Sequence, residues 1–362
     1  MRIAMVTTWF PTDKNPSAGA FIVKDCQSLT RAGVDIQVVH LVAPQLDDGT
    51  RNITIHGLRT IRIPMSTNNP ISIAKARHKL EQFIKYADVV HTQAISAIEP
   101  FVLRKPRKPW VHTEHWSGIS NPHTLSNSWR KIQPALKQLE RFPDVVVAVN
   151  EYLAAPIRKI RGPKPVAVIP CQVPMPEKLV PRRKISDSLR LISTGGLIPL
   201  KRPLLAVEAA AELKAMGRNA ELLWLGDGPL RNEVINRAAK LKVKLTLPGH
   251  VTAVEVQKSL GRSDIFIGTS EGENFFVSAA EAIVNGRPVV VGAVGGHTEY
   301  IDPSVGEIVP GNRPKDYAKA LLRIEEKTNS LSSEDIAATI GDSFSSQTIA
   351  NNYLNLYRKI SA

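Results

Sequence analysis

The sequence predicts an α/β protein made of two doubly wound domains. Apolar runs alternate with helical stretches along almost the entire chain, the pattern of an open sheet covered by helices. Many of these runs are continuous Val and Ile segments, as expected of parallel strands buried on both faces. Val173–Lys184 is rich in proline and charge and interrupts the alternation. We therefore expect a linker over 173–188 and one domain on each side of it.

The first half of the chain predicts a sheet built from seven strands. A helix over Ala20–Arg31, closed by Gly33, follows the first strand, and a second helix carries several basic residues. We expect this N-terminal domain to span 1–172. The predicted strands are Arg2–Thr8, Asp35–Leu41, Ile53–Ile63, Asp88–Thr92, Trp110–Thr113, Asp144–Val149 and Val166–Ile169.

The second half predicts another α/β series, which we expect to span 189–345. Its strands are Leu189–Ser193, Ala220–Leu225, Lys244–Leu247, Asp264–Gly268, Pro288–Val291 and Glu307–Val309. Its helices lie near Pro203–Met216, Pro229–Leu241, Ala253–Leu260 and Phe275–Asn285. The tail, Ser346–Ile360, carries apolar residues at helical spacing, which predicts a final amphipathic helix.

Composition places the chain among ordinary globular proteins. Its 362 residues are 43% hydrophobic and 22% charged, and they suffice for two domains. The two cysteines, Cys26 and Cys171, form neither a disulfide framework nor a metal-ligand pattern, which indicates a reducing cytoplasm. The N-terminal apolar run is too short for a signal peptide, and no run approaches the about 18 residues of a membrane span.

The net charge of +14 favours polyanionic partners such as nucleic acid, anionic lipid surfaces or phosphorylated substrates. No zinc-finger spacing or RNA-recognition signature is present, so we expect no nucleic-acid partner. A basic helix that also carries apolar residues could lie on an anionic membrane, although a solvated surface would look the same in the sequence. The basic residues crowd two stretches, with Lys75, Arg77, Lys79 and Lys85 in one and Arg104, Lys105, Arg107 and Lys108 in the other.

The most informative segment is Ser270–Ala282, which places Glu273 and Glu281 eight positions apart. Eight residues of continuous helix would leave the two side chains about 80° apart, so they converge most easily if Glu273 precedes the helix. The helix N-terminus between them, near Asn274 and Phe275, would expose free amides and a positive dipole end. This arrangement suits a diphosphate flanked by two hydroxylated rings, as in a nucleotide sugar. A capped amphipathic helix with two surface glutamates is the alternative.

Glycine-bearing loops follow several other predicted strands, where the backbone can approach a ligand closely. In Thr194–Pro203, Lys201 lies beside a helix N-terminus and predicts a phosphate site. In the first half, Val111–Gly118 carries His112 and His115, which suggest a metal pair, but no third ligand lies at useful spacing. Because no Asp-x-Asp motif is present either, we expect no metal. The remaining loops are Pro16–Phe21, Leu223–Pro229, Pro248–Val251 and Gly292–Glu299.

In this order the segments resemble the family 4 retaining glycosyltransferases of the GT-B fold over nearly the whole chain. Glu273 and Glu281 match the family's E-x7-E signature, and Lys201 matches its donor-site lysine. Gly196 stands where the family has an arginine, and Phe276 stands where many relatives have glycine. These two departures leave the diphosphate contacts open.

The resemblance implies two Rossmann-like domains facing each other across a cleft, with the last helix returning to the N-terminal domain. It implies that the C-terminal domain binds a nucleotide sugar and the N-terminal domain binds the acceptor. The implied catalytic residues are Glu273, His115 and Lys201, and the implied acceptor-side residues are His115 and Trp116. The implied donor-binding residues are Gly19, Gly196, Lys201, Arg202, Gly249, His250, Val251, Asn274, Phe275, Phe276, Val277 and Glu281.

We therefore expect a cytoplasmic, metal-independent hexosyltransferase without a cofactor, peripheral at the inner face of a membrane. It would move a sugar from a UDP or GDP sugar to a hydroxyl of a glycan, lipid-linked or small-molecule acceptor. A nucleotide-sugar epimerase of the same fold and a non-catalytic sugar-nucleotide-binding protein remain alternatives. A nicotinamide-dependent oxidoreductase is disfavoured, because no G-x-G-x-x-G follows the first strand.

Overall fold

The computed structural model describes residues 1–16, 18–67, 69–184 and 187–362. The chain forms two compact units, Met1–Gln172 with Phe344–Ala362, and Val173–Ser343. Residues 185 and 186 of the predicted linker lie outside the described residues. The described part of that linker belongs to the second unit, where Arg183 pairs with Asp264 at 2.6 Å.

The first unit contains a sheet of eight strands in the order β3-β4-β2-β1-β5-β6-β7-β8 among its described residues. The β3–β4 pair is antiparallel and the other neighbours are parallel. The strands are β1 (Arg2–Thr7), β2 (Asp35–Val42), β3 (Asn52–Ile55), β4 (Leu58–Pro64), β5 (Val89–Gln93), β6 (Trp110–Glu114), β7 (Val145–Ala148) and β8 (Val166–Val168).

Helices cover both faces of this sheet. Ile3 and Met5 of β1 pack into one core with the helices α1 and α12, and Ala4 and Val6 pack into the opposite core with α2. The alternation of side chains along a strand produces this division. The helices are α1 (Ala20–Arg31), α2 (Pro70–Ile84), α3 (Ser117–Ser120), α4 (Asn127–Leu136), α5 (Glu151–Arg161) and α12 (Ser346–Ser361).

The predicted return of the last helix to the N-terminal unit is confirmed, because α12 packs against α1. Tyr353 and Tyr357 of α12 are buried there. The Tyr357 hydroxyl lies 2.7 Å from Nδ1 of His91 on β5, and the Tyr353 hydroxyl lies 3.1 Å from the Thr113 hydroxyl on β6. The tail is therefore part of the first unit's core.

The second unit contains a parallel sheet of six strands in the order β11-β10-β9-β12-β13-β14 among its described residues. The order reverses beside β9, and open α/β sheets bind ligands at such a point, outside the carboxyl ends of the strands. The strands are β9 (Leu189–Thr194), β10 (Ala220–Leu225), β11 (Lys244–Gly249), β12 (Ile265–Gly268), β13 (Val289–Gly292) and β14 (Gly306–Val309). The helices are α6 (Pro203–Ala215), α7 (Arg231–Leu241), α8 (Ala253–Arg262), α9 (Val277–Val284), α10 (Pro314–Lys327) and α11 (Ser333–Ala338).

The predicted fold class of two doubly wound α/β domains is confirmed, with three local corrections. The single predicted strand Ile53–Ile63 is two strands, β3 and β4, joined at His56 and Gly57. Both residues have positive φ, 50° and 81°, as a tight hairpin turn requires. The helix predicted from Pro229 begins at Arg231. The helix predicted from Phe275 begins at Val277, because Phe276 adopts left-handed backbone with φ 59°.

The interiors of the strands form the cores of both units, and apolar side chains on β1, β5 and β13 are fully buried. Within the described residues, no helix combines the length and apolar character needed to cross a membrane.

Candidate functional site

A pocket of about 350 Å³ opens at the carboxyl ends of β9, β10 and β11 in the second unit. Four of the predicted donor-binding residues line it, namely Gly196, His250, Val251 and Glu281. Its lining also includes residues that the sequence did not single out as ligand contacts. These are Pro174, Thr194, Gly195, Leu225, Gly226, Ala253, Val256, Gln257 and Ser278.

At this pocket the turns that follow β9, β10 and β11 are hydrogen-bonded to one another through glycine backbone. The Gly195 N–H donates to the Leu225 carbonyl at 2.9 Å, and the Gly226 N–H donates to the Gly249 carbonyl at 2.9 Å. Gly226 has φ 142°, and a Cβ there would overlap the carbonyl oxygen of Gly195. Only glycine fits this position, so the turn after β10 lies directly against the turn after β9.

Gly196 is a glycine of a different kind. A Cβ at this position would meet no atom of the described chain closer than 3.6 Å, and the backbone has no positive φ. The fold therefore does not require glycine at 196. Glycine leaves the pocket open at the point where the family resemblance implies an arginine side chain.

The two glutamates of the signature have the arrangement predicted from their spacing. Glu281 lies in α9 and lines the pocket together with Ser278, three residues earlier on the same helix face. Glu273 lies in the loop before α9. This loop is held in place by two backbone hydrogen bonds, from Glu273 N–H to the Val294 carbonyl at 3.2 Å and from Gly296 N–H to the Asn274 carbonyl at 2.9 Å.

Lys201 and Glu273 form an ion pair with each other. Their side chains are 22% and 14% exposed, and the Lys201 ammonium also lies 5.5 Å from the centre of the Phe276 ring. Neither residue is among those that line the 350 Å³ pocket. The structure therefore brings two predicted catalytic residues together. No local pattern in the sequence signals this contact, because the two residues are far apart in the chain.

Arg202 is paired as well. Its guanidinium lies 3.0 Å from the Glu271 carboxylate, and its backbone is left-handed with φ 45°. The Thr269 hydroxyl lies 2.9 Å from both the Lys201 and the Arg202 carbonyls. The turn that carries both cations is thus fixed to the segment following β12.

The N-terminus of α9 has no side-chain cap. Phe276 precedes it, and its ring packs so closely on Gly268 that a Cβ there would lie 2.5 Å from the ring. The Tyr300 hydroxyl donates to the Phe276 carbonyl at 2.8 Å. His297, which the sequence did not single out, donates from Nε2 to the Gly292 carbonyl at 2.7 Å, and burial lowers its pKa. The contacts of Phe276 with Gly268 and Tyr300 fix the left-handed residue that starts α9, so the first amides of the helix can face an anion.

In the first unit, the turn between β1 and α1 requires glycine at position 19. Gly19 has φ 62°, and a Cβ there would overlap the Trp9 carbonyl oxygen. Phe21, two residues later, places its ring centre 4.4 Å from that of His115 at the end of β6. The structure therefore brings the Gly19 turn and His115 to the same edge of the sheet.

His115 is a neutral histidine. Its Nε2 donates to Oε1 of Gln93 at 2.9 Å, and burial lowers its pKa to about 4. The N–H groups of His115 and Trp116 both donate to Oε1 of Glu114 at 2.6 Å. Trp116 packs its ring on Gly118, where a Cβ would overlap the indole.

A buried cluster lies behind His115. His112 Nε2 is 3.4 Å from Glu114 Oε2 and 3.5 Å from Glu140 Oε1, and all three side chains are 0% exposed. The ligand atoms lie within 4.8 Å of one another and are of types that bind metals. Sequence reasoning found no third ligand because Glu140 comes from a separate turn, Lys137–Arg141. The expectation that the protein needs no metal stays a prediction.

The basic helix α2 is exposed on one face only. Lys75, Lys79 and Lys85 are exposed, but Arg77 is buried and pairs with Glu81 at 2.5 Å. The guanidinium of Arg77 also lies 5.3 Å from the Phe101 ring centre. The prediction that all four residues form one cationic surface is therefore wrong for Arg77, which sits at a helix position facing the protein.

Two family models match the chain, one for each half. The model described as "Glycosyltransferase Family 4" matches residues 20–175, and the model described as "Glycosyl transferases group 1" matches residues 176–338. The boundary between the two matches falls close to the boundary between the two structural units.

Among curated proteins, an alpha-D-kanosaminyltransferase of Streptomyces kanamyceticus is 25% identical over 159 residues, which cover 42% of this chain and 41% of that protein. A D-inositol 3-phosphate glycosyltransferase of Kribbella flavida is 28% identical over 269 residues, covering 66% of this chain and 63% of that protein. In both cases the chain spans less than two thirds of the relative's own length.

Among solved structures, sucrose-phosphate synthase from Thermosynechococcus elongatus has a TM-score of 0.81 at 19% identity, covering 99% of both chains. Anabaena HepE, solved in complex with UDP and glucose, has a TM-score of 0.75 at 17% identity, covering 99% of this chain and all of that one. At these identities the likeness concerns the fold.

Proposed function

This chain belongs to the family 4 glycosyltransferases of the GT-B fold, and we propose that it transfers a hexose-type sugar from a nucleoside-diphosphate sugar to a hydroxyl group, with retention of anomeric configuration. The observation that carries the proposal is the placement of Glu273 before α9 and Glu281 within it. Glu281 lines a pocket floored by glycine backbone, and such a pocket admits a flat base and a ribose.

The donor contacts follow from this geometry. The nucleoside occupies the 350 Å³ pocket, where Glu281 accepts hydrogen bonds from the ribose hydroxyls. The diphosphate lies at the uncapped N-terminus of α9, which supplies free amides and a positive dipole end. Lys201 exchanges part of its contact with Glu273 for the diphosphate, and Glu273 accepts from a sugar hydroxyl.

The chemical step needs stabilisation of the departing diphosphate. The amides of α9 are held by the fold, and Lys201 turns to the diphosphate when the donor binds, so both groups are in position before the chemical step and stabilise the developing charge. The acceptor arrives on the face from which the diphosphate leaves, which gives retention without a covalent nucleophile. His115 and Trp116 lie on the acceptor side, in the first unit.

Donor and acceptor classes remain broad in this proposal. UDP and GDP sugars are favoured as donors, and the acceptor is a glycan, a lipid-linked sugar or a small molecule. One relative, from Mycobacterium tuberculosis, is named a GDP-mannose-dependent phosphatidylinositol dimannoside mannosyltransferase and is 30% identical over 135 residues, 35% of its length. An epimerase or a non-catalytic binding protein would share the pocket but would transfer no sugar.

The donor assignment is tested by thermal shift with UDP-, GDP-, ADP- and TDP-sugars. A ligand that binds the folded state alone raises the melting temperature by mass action, so one nucleotide should stand out. Glu281→Gln should reduce that shift, because the neutral amide loses charge-assisted hydrogen bonds to the ribose. Glu233→Gln on the exposed surface of α7 is the control and should keep it. A panel without any shift contradicts the proposal.

Metal independence is part of the proposal, since cations and helix amides carry the charge of the leaving group. Transfer should therefore survive saturating EDTA. Loss of activity that Mg²⁺ or Mn²⁺ restores would overturn this account of the leaving group.

We further propose that the protein is cytoplasmic and docks on the inner face of a membrane through α2. Lys75 and Lys79 of α2, and Lys85 directly after it, accompany Ile71 at the start of the helix, whose side chain is 68% exposed. Apolar residues beside cations suit an anionic lipid interface, where each basic residue contributes about 1 kcal/mol.

Vesicle co-sedimentation at low and high salt tests this docking. Anionic vesicles should bind the protein and neutral ones should not, and changing Lys75, Lys79 and Lys85 to Ser should abolish binding. Arg77 is left intact because it is buried. A control with the same loss of charge changes the exposed residues Lys240, Lys258 and Lys319 of the second unit to Ser. Equal binding to both vesicle types, or to neither, contradicts the docking.

A further inference from the structure

The buried cluster of His112, Glu114 and Glu140 touches the backbone that presents His115. Glu114 ends β6, and its Oε1 accepts the N–H groups of the next two residues, His115 and Trp116, at 2.6 Å each. Two hydrogen bonds to one carboxylate oxygen fix the direction in which the chain leaves the strand. The orientation of the His115 ring therefore depends on Glu114 staying in this position.

The Glu114 side chain is fully buried, and a buried carboxylate requires a partner that compensates its charge. His112 is the partner within reach, with Nε2 3.4 Å from Glu114 Oε2. The Glu114 pKa is lowered to about 2, because hydrogen bonding and charge from His112 outweigh the opposing effect of burial. Burial lowers the pKa of His112, but the carboxylates of Glu140 and Glu114 outweigh it and raise that pKa to about 9.

A second contact, at Nδ1, orients the ring of His112. Its Nδ1 lies 3.0 Å from the Thr92 hydroxyl oxygen, which also accepts from Trp110 Nε1 at 2.9 Å. The Thr92 hydroxyl itself donates to the Val111 carbonyl at 3.3 Å. Because that hydroxyl proton is used, Nδ1 of His112 donates to Thr92, and Nε2 faces the two carboxylates.

Glu140 completes the cluster from another element. It lies 3.5 Å from His112 Nε2, and neither of its carboxyl oxygens makes a hydrogen bond within the described chain. Burial raises its pKa to about 7. The other charged or titratable groups facing the cluster are Arg161 of α5, which donates to the Glu140, Pro143 and Asp144 carbonyls, Asp144 itself, His91 of β5 and His115.

We propose that His112, Glu114 and Glu140 form a positioning unit for the His115–Trp116 segment, in which Glu114 holds the two backbone amides and His112 and Glu140 keep Glu114 in place. The proposal rests on the proposed function, since it takes His115 to act in sugar transfer.

The first test uses Glu114→Gln. The neutral amide loses the attraction of His112 and loosens the segment, so kcat for transfer should fall about 100-fold, the cost of a displacement of about 1 Å. Donor affinity, measured by thermal shift with the nucleotide that stabilises the wild type, should stay unchanged because the pocket lies in the second unit. Unchanged kcat, or equal losses of kcat and donor affinity, overturns the proposal.

The second test uses Glu140→Gln, which keeps the size of the side chain but removes the carboxylate that lies 3.5 Å from His112 Nε2. Because Glu140 helps to hold Glu114 through His112, kcat should fall while donor affinity stays unchanged. Asp25→Asn is the matched control, a buried carboxyl in the same unit that accepts a hydrogen bond from Gln172 outside the cluster, and it should keep wild-type kcat. Wild-type kcat in Glu140→Gln overturns the proposal.

A third readout separates this proposal from the proposed function. The ring resonances of ¹³C-labelled His115 should shift in Glu114→Gln and stay in place in Asp25→Asn, whether or not the protein transfers sugar. If His115 shifts as described but no donor of the panel is turned over, the proposed function fails and the positioning unit stands. Unmoved His115 resonances, or a stoichiometric metal bound to the cluster in elemental analysis, overturn the positioning unit.

Discussion

Gly196 stands where the family resemblance implies an arginine, and the structure shows what this position allows. A Cβ at this position would lie at least 3.6 Å from the described atoms around it, which is ordinary van der Waals contact. The backbone therefore does not require glycine at this position, and we attribute the glycine to the ligand that the pocket binds. Arg202, the nearest replacement in sequence, is already paired with Glu271 at 3.0 Å.

Replacing Gly196 by Arg should tighten the binding of nucleoside diphosphates about tenfold, because a hydrogen bond to a charged group contributes about 1.5–3 kcal/mol. The melting temperature without ligand should stay near that of the wild type. Isothermal titration calorimetry with the nucleoside diphosphate measures the affinity. Gly196→Gln is the control, because it adds a long polar side chain without a positive charge. Weaker binding in Gly196→Arg, or tightening in both variants, would contradict this interpretation of the position.

At the level of single residues, the sequence located the signature glutamates but not their partners. Glu273 and Glu281 were placed by their spacing and by the change from turn residues to an apolar helix. The pairing of Lys201 with Glu273, and of His112 with Glu140, joins segments that are distant in the chain. No local periodicity encodes such contacts, so they emerge with the tertiary fold.

At the level of elements, the turns at the strand ends determine the shape of the pocket. The turn after β10 contacts the turn after β9 through two glycines, Gly195 and Gly226, and this contact leaves no room for a Cβ at Gly226. Strand positions were predictable because buried parallel strands are continuous apolar runs. The hairpin at His56 and the start of α9 at Phe276 were not, because both depend on a non-glycine residue with positive φ.

Gly226→Ala should lower the free energy of unfolding by about 3 kcal/mol, since it adds backbone strain and an overlap with the Gly195 carbonyl. Gly217→Ala is the control. Gly217 also has a positive φ, 88°, but no described atom lies within 4 Å of its Cβ position. That variant should lose only about 1 kcal/mol. Urea unfolding measures both, and equal losses would show that the contact between the two turns has no energetic weight.

At the level of the whole molecule, buried ionisable groups in the first unit link stability to pH. Burial raises the pKa of Asp25 and of Glu140 to about 7, from 3.8 and 4.5. The folded protein therefore binds the protons of these two carboxyl groups more tightly than the unfolded chain does. This binding adds to the free energy of unfolding at low pH, and the gain is lost as pH rises through about 7. His112, with its pKa raised to about 9, stabilises the fold below about pH 6.5 and loses that effect as pH approaches 9.

The melting temperature should therefore fall between pH 6.5 and 9. Histidines with lowered pKa values, His40 and His115 at about 4, act in the opposite direction only between pH 4 and 6.5, where the unfolded chain binds more protons. Scanning calorimetry from pH 4 to 9 measures the trend. Asp25→Asn should remove the contribution of Asp25, which is lost by about pH 7, and should leave the fall from about pH 7 to 9, which comes from His112. A melting temperature that rises steadily to pH 9 would contradict the linkage.

In the proposed reaction Glu273 acts on the donor sugar. Release of nucleoside diphosphate and transfer of labelled sugar by Glu273→Ala measure this role. The matched control is Glu307→Ala, since Glu307 is equally exposed at 14% and is also paired with a lysine, Lys327, at 2.7 Å. With the donor chosen by thermal shift, we expect Glu307→Ala to keep wild-type turnover. We expect Glu273→Ala to lose at least about 100-fold in kcat, the loss typical of removing one preorganised contact to the transition state, with little change in melting temperature. Near-native turnover by Glu273→Ala would show that Glu273 does not act on the donor sugar.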